Sequence, residues 1–163
     1  AARSIAVFSV GKTFHATGWR VGYALAPPAL SAELRKVHQY VTFSVVSPVQ
    51  HALADFLRSD ASHWQALPAF YQAKRDLLVE LLGPTRFRPL PCAGGYFQLA
   101  DYGAIADEDD VSFANRLTVE HGVAVIPVSV FYADPPADAR LVRFCFAKEA
   151  STLEAAAEKL CRL

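Results

Sequence analysis

The sequence has no methionine and only three cysteines in 163 residues. Cys92, Cys145 and Cys161 are odd in number, far apart and without a C-x-x-C pair, which disfavours a disulfide framework or a zinc site and fits a reducing compartment. There is no excess of either charge, because 16 basic residues balance 16 acidic ones, so nothing in bulk electrostatics draws the molecule to nucleic acid. No apolar run is long enough for a bilayer span, and no basic-then-apolar stretch opens the chain. The expectation is a soluble, unexported, cytoplasmic protein without a membrane partner. Charged residues make up 20% and apolar ones 53%, a balance that disordered chains do not have. A start at Ala1-Ala2-Arg3 that runs almost at once into the apolar Ile5-Ala6-Val7-Phe8 raises the expectation of a piece of a longer protein.

Helices and strands alternate along the chain. The unbroken apolar run Ile5 to Phe8 predicts a strand buried on both faces, as in a parallel sheet. A polar loop, Ser9 to Gly18, leads to a second strand, Val21 to Ala26. Ser31 is placed to cap a helix through Leu34, Val37 and Val41, and Pro48 to open the next. A long helix from Trp64 ends at Gly83-Pro84, with Phe70, Leu77, Leu78 and Leu81 on one face and Pro68 near its start or kinking it. Two strands then flank the turn Cys92 to Gly95. Asp109 or Asp110 caps a helix that ends at Gly122, and Val123 to Ile126 and Leu141 to Ala147 read as strands. Ser151 and Glu154 form a capping box for a closing helix. The fold class read from this is α/β: the end of a large domain over residues 1–62, then a bridging helix and a small α+β domain over 63–163.

The stretch from Ser9 to Gly22 carries the chemistry. Gly11-Lys12-Thr13 resembles the end of a phosphate-binding P-loop, but the glycine needed five residues earlier is replaced by Ala6. A second reading uses every polar residue. A lysine just past a buried strand is confined and partly desolvated, which favours its neutral amine, and such an amine forms a Schiff base with an aldehyde. Ser9 and Arg20 provide the hydroxyl and guanidinium that a phosphate dianion wants. Lysine and phosphate clamp together point to pyridoxal 5'-phosphate. Taken singly, Lys12 reads as a solvated loop lysine and Arg20 as a surface residue; the joint spacing argues otherwise.

That spacing of serine, two residues, lysine, seven residues, arginine, an apolar residue and glycine resembles the cofactor-lysine signature of the fold-type I, class I/II aminotransferases. The resemblance implies that Lys12 holds the cofactor covalently and is the catalytic lysine, that Ser9 and Arg20 bind its phosphate, and that the large domain has a mixed, mostly parallel sheet. His15, three residues past the lysine, departs from the small residue common there. Further along, strand alternation sets Arg143 beside Cys145 and opposite in facing to Val142, Phe144 and Phe146. On its own Arg143 reads as a solvent-facing strand residue. The resemblance gives it the α-carboxylate of an amino-acid substrate. The turn Gly94 to Phe97 and the strand exit Ile126 to Ser129 extend the likeness, and the wording around His63 to Asp76 is similar to the methionine aminotransferase and kynurenine–glutamine transaminase branch.

The implied activity is transamination between an L-amino acid of the methionine, glutamine or kynurenine type and a 2-oxo acid, in a homodimer whose partner approaches near Thr42 to Pro48. Because the groups the family uses on the cofactor ring lie upstream of its lysine, the 163 residues alone are expected not to turn over. A carbon–sulfur β-lyase of the same fold, a non-catalytic aminotransferase-like sensor domain and a structural fragment without cofactor stay open. His15, His38, His51, His63 and His121 lack metal-ligand spacing and read as structural, with His15 the exception for its place three residues from the lysine; Tyr40, Phe43 and Tyr71 read as packing aromatics.

Overall fold

The computed structural model describes residues 2–59, 61–136 and 138–163, which form two compact units, Ala1–Leu67 and Pro68–Leu163. In the first unit β1 (Ala6–Ser9) pairs antiparallel with β2 (Gly22–Leu25), Ser9 facing Gly22 and Ala6 facing Leu25. The loop between them is not irregular throughout. It holds one turn of helix, α1 (Val10–Thr13), and a 3-10 turn over Thr17–Trp19. Then come α2 (Pro28–Val41) and α3 (Ser47–Ser59). α2 starts three residues before Ser31, because Pro28 already has the φ that a first helical position wants. Ser31 instead donates its hydroxyl to the Ala26 carbonyl at 3.0 Å.

The expectation of a β1 buried on both faces is wrong for this chain: all residues of β1 and β2 are exposed, and among the described residues of the first unit only Val10, Gly11 and Val21 are buried. Leu53 and Leu57 of α3 line a hollow with Phe8 and Tyr23 but leave both rings largely open to water, so the apolar run Ala6-Val7-Phe8 is only partly covered. Tyr40 and Phe43 are likewise exposed, contrary to their reading as packing aromatics, whereas Tyr71 does pack against buried residues of the second unit.

α4 (Ser62–Leu82) contains Pro68 within its length and buries Leu78 and Leu82. Phe70 is half exposed and lies off the buried stripe expected of it. The second unit has a sheet in the order β3-β4-β6-β5, built from β3 (Arg88–Pro89), β4 (Phe97–Asp101), β5 (Ile126–Pro127) and β6 (Leu141–Cys145). All its pairings are antiparallel, with Phe97 opposite Cys145 and Leu99 opposite Arg143. α5 (Asp110–His121) and α6 (Ala150–Leu160) complete it. Asp109 is the cap of α5, accepting from the Ser112 amide at 2.9 Å, and Gly122 ends the helix at φ 62°, the left-handed conformation that glycine takes without strain. Ser151 does not cap α6: the helix begins one residue before it, after Glu149, so the sequence box is out of register.

The core of this unit is apolar and closed. Phe113, Leu117, Val142, Leu82 and Phe146 are all but inaccessible, and Phe113 stacks on Tyr102 with centroids 3.9 Å apart. The alternation of β6 puts Val142 and Phe144 into this core and turns Leu141, Arg143 and Cys145 to the other face, as the period of two requires.

Candidate functional site

Antiparallel pairing of β1 with β2 closes the lysine loop into a ribbon end. The Val10 amide bonds to the Val21 carbonyl at 3.2 Å and the Ala16 amide to the Gly11 carbonyl at 2.9 Å, so residues 9 and 20 stand at the two ends of one closed loop. Ser9 accepts from the Gly11 amide at 3.2 Å and starts α1, which carries Lys12. Arg20 follows the 3-10 turn at φ 56°, a left-handed conformation that costs a non-glycine residue about 1–2 kcal/mol. One guanidinium nitrogen donates to the Thr17 carbonyl at 3.2 Å, which curls the side chain back over the loop.

Two glycines make this geometry possible. A Cβ on Gly22 would lie 2.4 Å from the Phe8 carbonyl oxygen, and one on Gly11 would lie 3.1 Å from the Thr17 backbone and 3.3 Å from the Ser9 hydroxyl. At Gly22 the loop closes only with bare backbone, and at Gly11 an added Cβ would need its neighbours to give by a few tenths of an ångström. His63, at the start of α4, donates its Nε2 proton to the Thr13 carbonyl at 2.8 Å, and its ring stands edge-on to His15 at 5.6 Å. Sequence reading gave His63 no more than a structural role and missed this tie to the lysine turn, because the bond spans fifty residues of chain.

Lys12 is exposed, which corrects the expectation that it is confined and partly desolvated. Every residue of β1 is exposed, and the amine that follows it is open to water in the same way. Lys12, Arg20 and Ser9 supply the loop with a primary amine, a guanidinium and a hydroxyl. Among the described residues, no carboxylate is paired with either cation. Such a donor set suits a phosphate dianion with an aldehyde beside it, so the residues present fit pyridoxal phosphate.

Arg143 lies in the second unit on the solvent-side face of β6. Its guanidinium carbon is 4.0 Å from the centre of the Phe97 ring and 5.0 Å from that of Phe131. Its Nε is shielded from water without a hydrogen-bond partner, and no carboxylate is paired with the residue among those described. A half-buried guanidinium without an anion is an incomplete interaction, the state expected of a group that receives one from outside. Phe131 ends the 3-10 turn Ser129–Phe131, and the buried Asp110 carboxylate holds the first residue of that turn. Sequence reading left Phe97 in a matched turn without a role, did not single out Phe131, and considered Asp110 only as a helix cap.

The sequence pattern described as "Aminotransferase class I and II" matches residues 2–160. The chain belongs to the class I and II aminotransferase family. It is 58% identical over 161 residues to a methionine aminotransferase of Escherichia coli (strain K12), covering 99% of this chain and 42% of that protein. Kynurenine–oxoglutarate transaminase 3 of the mouse is 36% identical, over 96% of this chain and 38% of its own length.

Solved aminotransferases have the same fold. The Escherichia coli structure for which a methionine aminotransferase function was identified superposes with a TM-score of 0.94 over 99% of this chain and 43% of its own. N-succinyldiaminopimelate aminotransferase from Mycobacterium tuberculosis superposes at 0.91, with 34% identity, over 99% of this chain and 42% of its own. The fold is thus α/β of the fold-type I aminotransferases. The chain spans about two fifths of the relatives it matches. Its strand pairings are all antiparallel among the described residues, so the parallel pairing expected of the large domain is not seen there.

Proposed function

We propose that the protein of which these residues are part transaminates an L-amino acid of the methionine, glutamine or kynurenine type with a 2-oxo acid, using pyridoxal phosphate. The observation that supports the reading is the joint spacing of Ser9, Lys12 and Arg20 along the loop that β1 and β2 close, where Gly22 leaves no room for a side chain. Identity of 58% to a methionine aminotransferase supports the branch.

In this reading Ser9 and Arg20 hold the cofactor phosphate and Lys12 Nζ holds its aldehyde carbon. The cofactor, once bound, supplies the electron sink that makes the substrate's α-proton acidic. Arg143 binds the substrate α-carboxylate through its N–H fork. Lys12, displaced by the incoming amine, takes the α-proton on Nζ as a general base and returns it as an acid. Of the 163 residues, 1–62 are proposed as the end of the cofactor-binding domain and 63–163 as the bridging helix and small domain. A homodimer in the cytoplasm completes the proposal. None of the helices among the described residues is long and apolar enough to cross a membrane.

Borohydride reduction of the complete cofactor-loaded protein, followed by peptide mapping, is the test. The expected result is a pyridoxyl group on Lys12, lost in Lys12→Ala together with all but a trace of turnover. A Lys12→Ala protein with normal transaminase activity would sink the proposal. The 163 residues alone are expected to show no turnover with methionine and 2-oxoglutarate.

A further inference from the structure

We infer that Phe97 and Phe131 are positioning residues for Arg143, fixing its guanidinium by ring contact in place of the acidic side chain or carbonyl that usually orients a half-buried arginine. The inference rests on the reading of Arg143 as the carboxylate binder and names what makes it competent.

An arginine on the half-open face of a sheet has four side-chain torsions to restrain. Hydrogen bonds restrain most such residues, but each bond made inside the protein uses a donor that a ligand then cannot have. Arg143 makes none among the described residues, and its Nε, cut off from water, has no acceptor. The rings at 4.0 and 5.0 Å are within cation–π range, and they attract the cation without occupying its N–H groups or neutralising its charge. The whole outer edge of the fork stays available for a planar oxyanion.

Both rings are themselves held. Phe97 is on β4 opposite Cys145, diagonal to Arg143 across the ladder, and its ring leans on Tyr96 at 4.5 Å. Phe131 closes a turn whose first residue, Ser129, gives both its amide and its hydroxyl to Asp110 at 2.7 and 2.6 Å. Asp110 thus acts on the arginine at second hand, through the turn and its aromatic end, from a buried place at the start of α5.

The test uses nuclear magnetic resonance on the labelled 163-residue chain and kinetics on the complete cofactor-loaded protein. Ring currents should displace the Arg143 Nε–H resonance from those of exposed arginines, and Phe97→Leu or Phe131→Leu should move it back toward them. Phe131 is 61% exposed, so its replacement leaves the core intact if Phe97→Leu does not fold. In the complete protein, either leucine variant should raise KM for L-methionine about three- to tenfold with kcat nearly unchanged, and Phe97→Tyr should restore it. An Arg143 resonance that coincides with exposed arginines, or that neither variant moves, overturns the inference whatever Arg143 binds. A resonance that moves while KM does not also overturns it, and an Arg143→Lys control that still raises KM shows that the carboxylate reading survives alone. If Arg143→Lys leaves KM unchanged, the carboxylate reading fails and takes the positioning role with it.

Discussion

Asp110 and Ser129 are joined by two hydrogen bonds, from the serine amide at 2.7 Å and from its hydroxyl at 2.6 Å, and the carboxylate that accepts them is only 4% exposed. A buried carboxylate with both oxygens satisfied is a rigid joint between α5 and the turn that carries Phe131. Bonds of this kind are worth more than neutral ones because one partner is charged.

Asp110→Ala should therefore destabilise the second unit by about 2–3 kcal/mol, since it orphans the Ser129 amide and hydroxyl. Urea unfolding followed by Trp and Tyr fluorescence measures this. Asp110→Asn should retain part of the loss, because a neutral amide can still accept one of the two bonds.

Gly22→Ala should open the ribbon. An added Cβ would lie 2.4 Å from the Phe8 carbonyl, so β1 and β2 must separate where Ser9 meets Gly22. The expected outcome is faster amide exchange at Val10 and Gly11 and loss of cofactor attachment at Lys12, with the second unit's exchange pattern unchanged. Exchange rates equal to those of the unmodified chain would show that the close approach is unnecessary.

Tyr102 gives the protein a weakness at high pH. Burial pushes its phenol up to about 12, with Asp110 adding to the effect, while its hydroxyl donates to the Glu108 carbonyl at 2.8 Å. An unfolded tyrosine ionises near ~10. Below that pH both states are neutral and the contribution to stability is complete; as pH rises toward the folded value, only the unfolded chain loses the proton and stability falls. Phenolate absorbance should show one tyrosine titrating late, and Tyr102→Phe should flatten the alkaline slope of the melting midpoint.

Asp109 acts at the opposite end of the scale. Hydrogen bonds from Ser112, first from its amide and then from its hydroxyl, hold this carboxylate below its ordinary range. Its contribution is present above the unfolded carboxylate's pKa and disappears as pH falls through the lowered folded value. Asp109→Ala should lower the melting midpoint at neutral pH and lessen its decline in acid, whereas Asp109→Asn, still a good cap, should lose little at neutral pH.

What could be read in advance was what is local. The spacing of Ser9, Lys12 and Arg20 is a feature of fourteen contiguous residues, and the alternation that turns Arg143 away from Val142 and Phe144 needs only five. The caps at Asp109 and Gly122 follow from single side chains and backbone angles. By contrast, the one-turn helix that carries Lys12 was invisible within a polar loop, and Ser151 looked like a cap because its own register cannot be seen from its neighbours alone.

The order of residues along the chain was enough to decide the family motif, the facing of β6 and the two ends of α5, because each depends on interactions between near neighbours. Only the folded molecule decided that Phe97, Phe131 and Asp110 converge on the strand of Arg143, that His63 reaches the lysine turn, and that β1 stays exposed. Each of those facts depends on which distant segments pack together, and on which covering layers are present, and apolar periodicity carries no record of either.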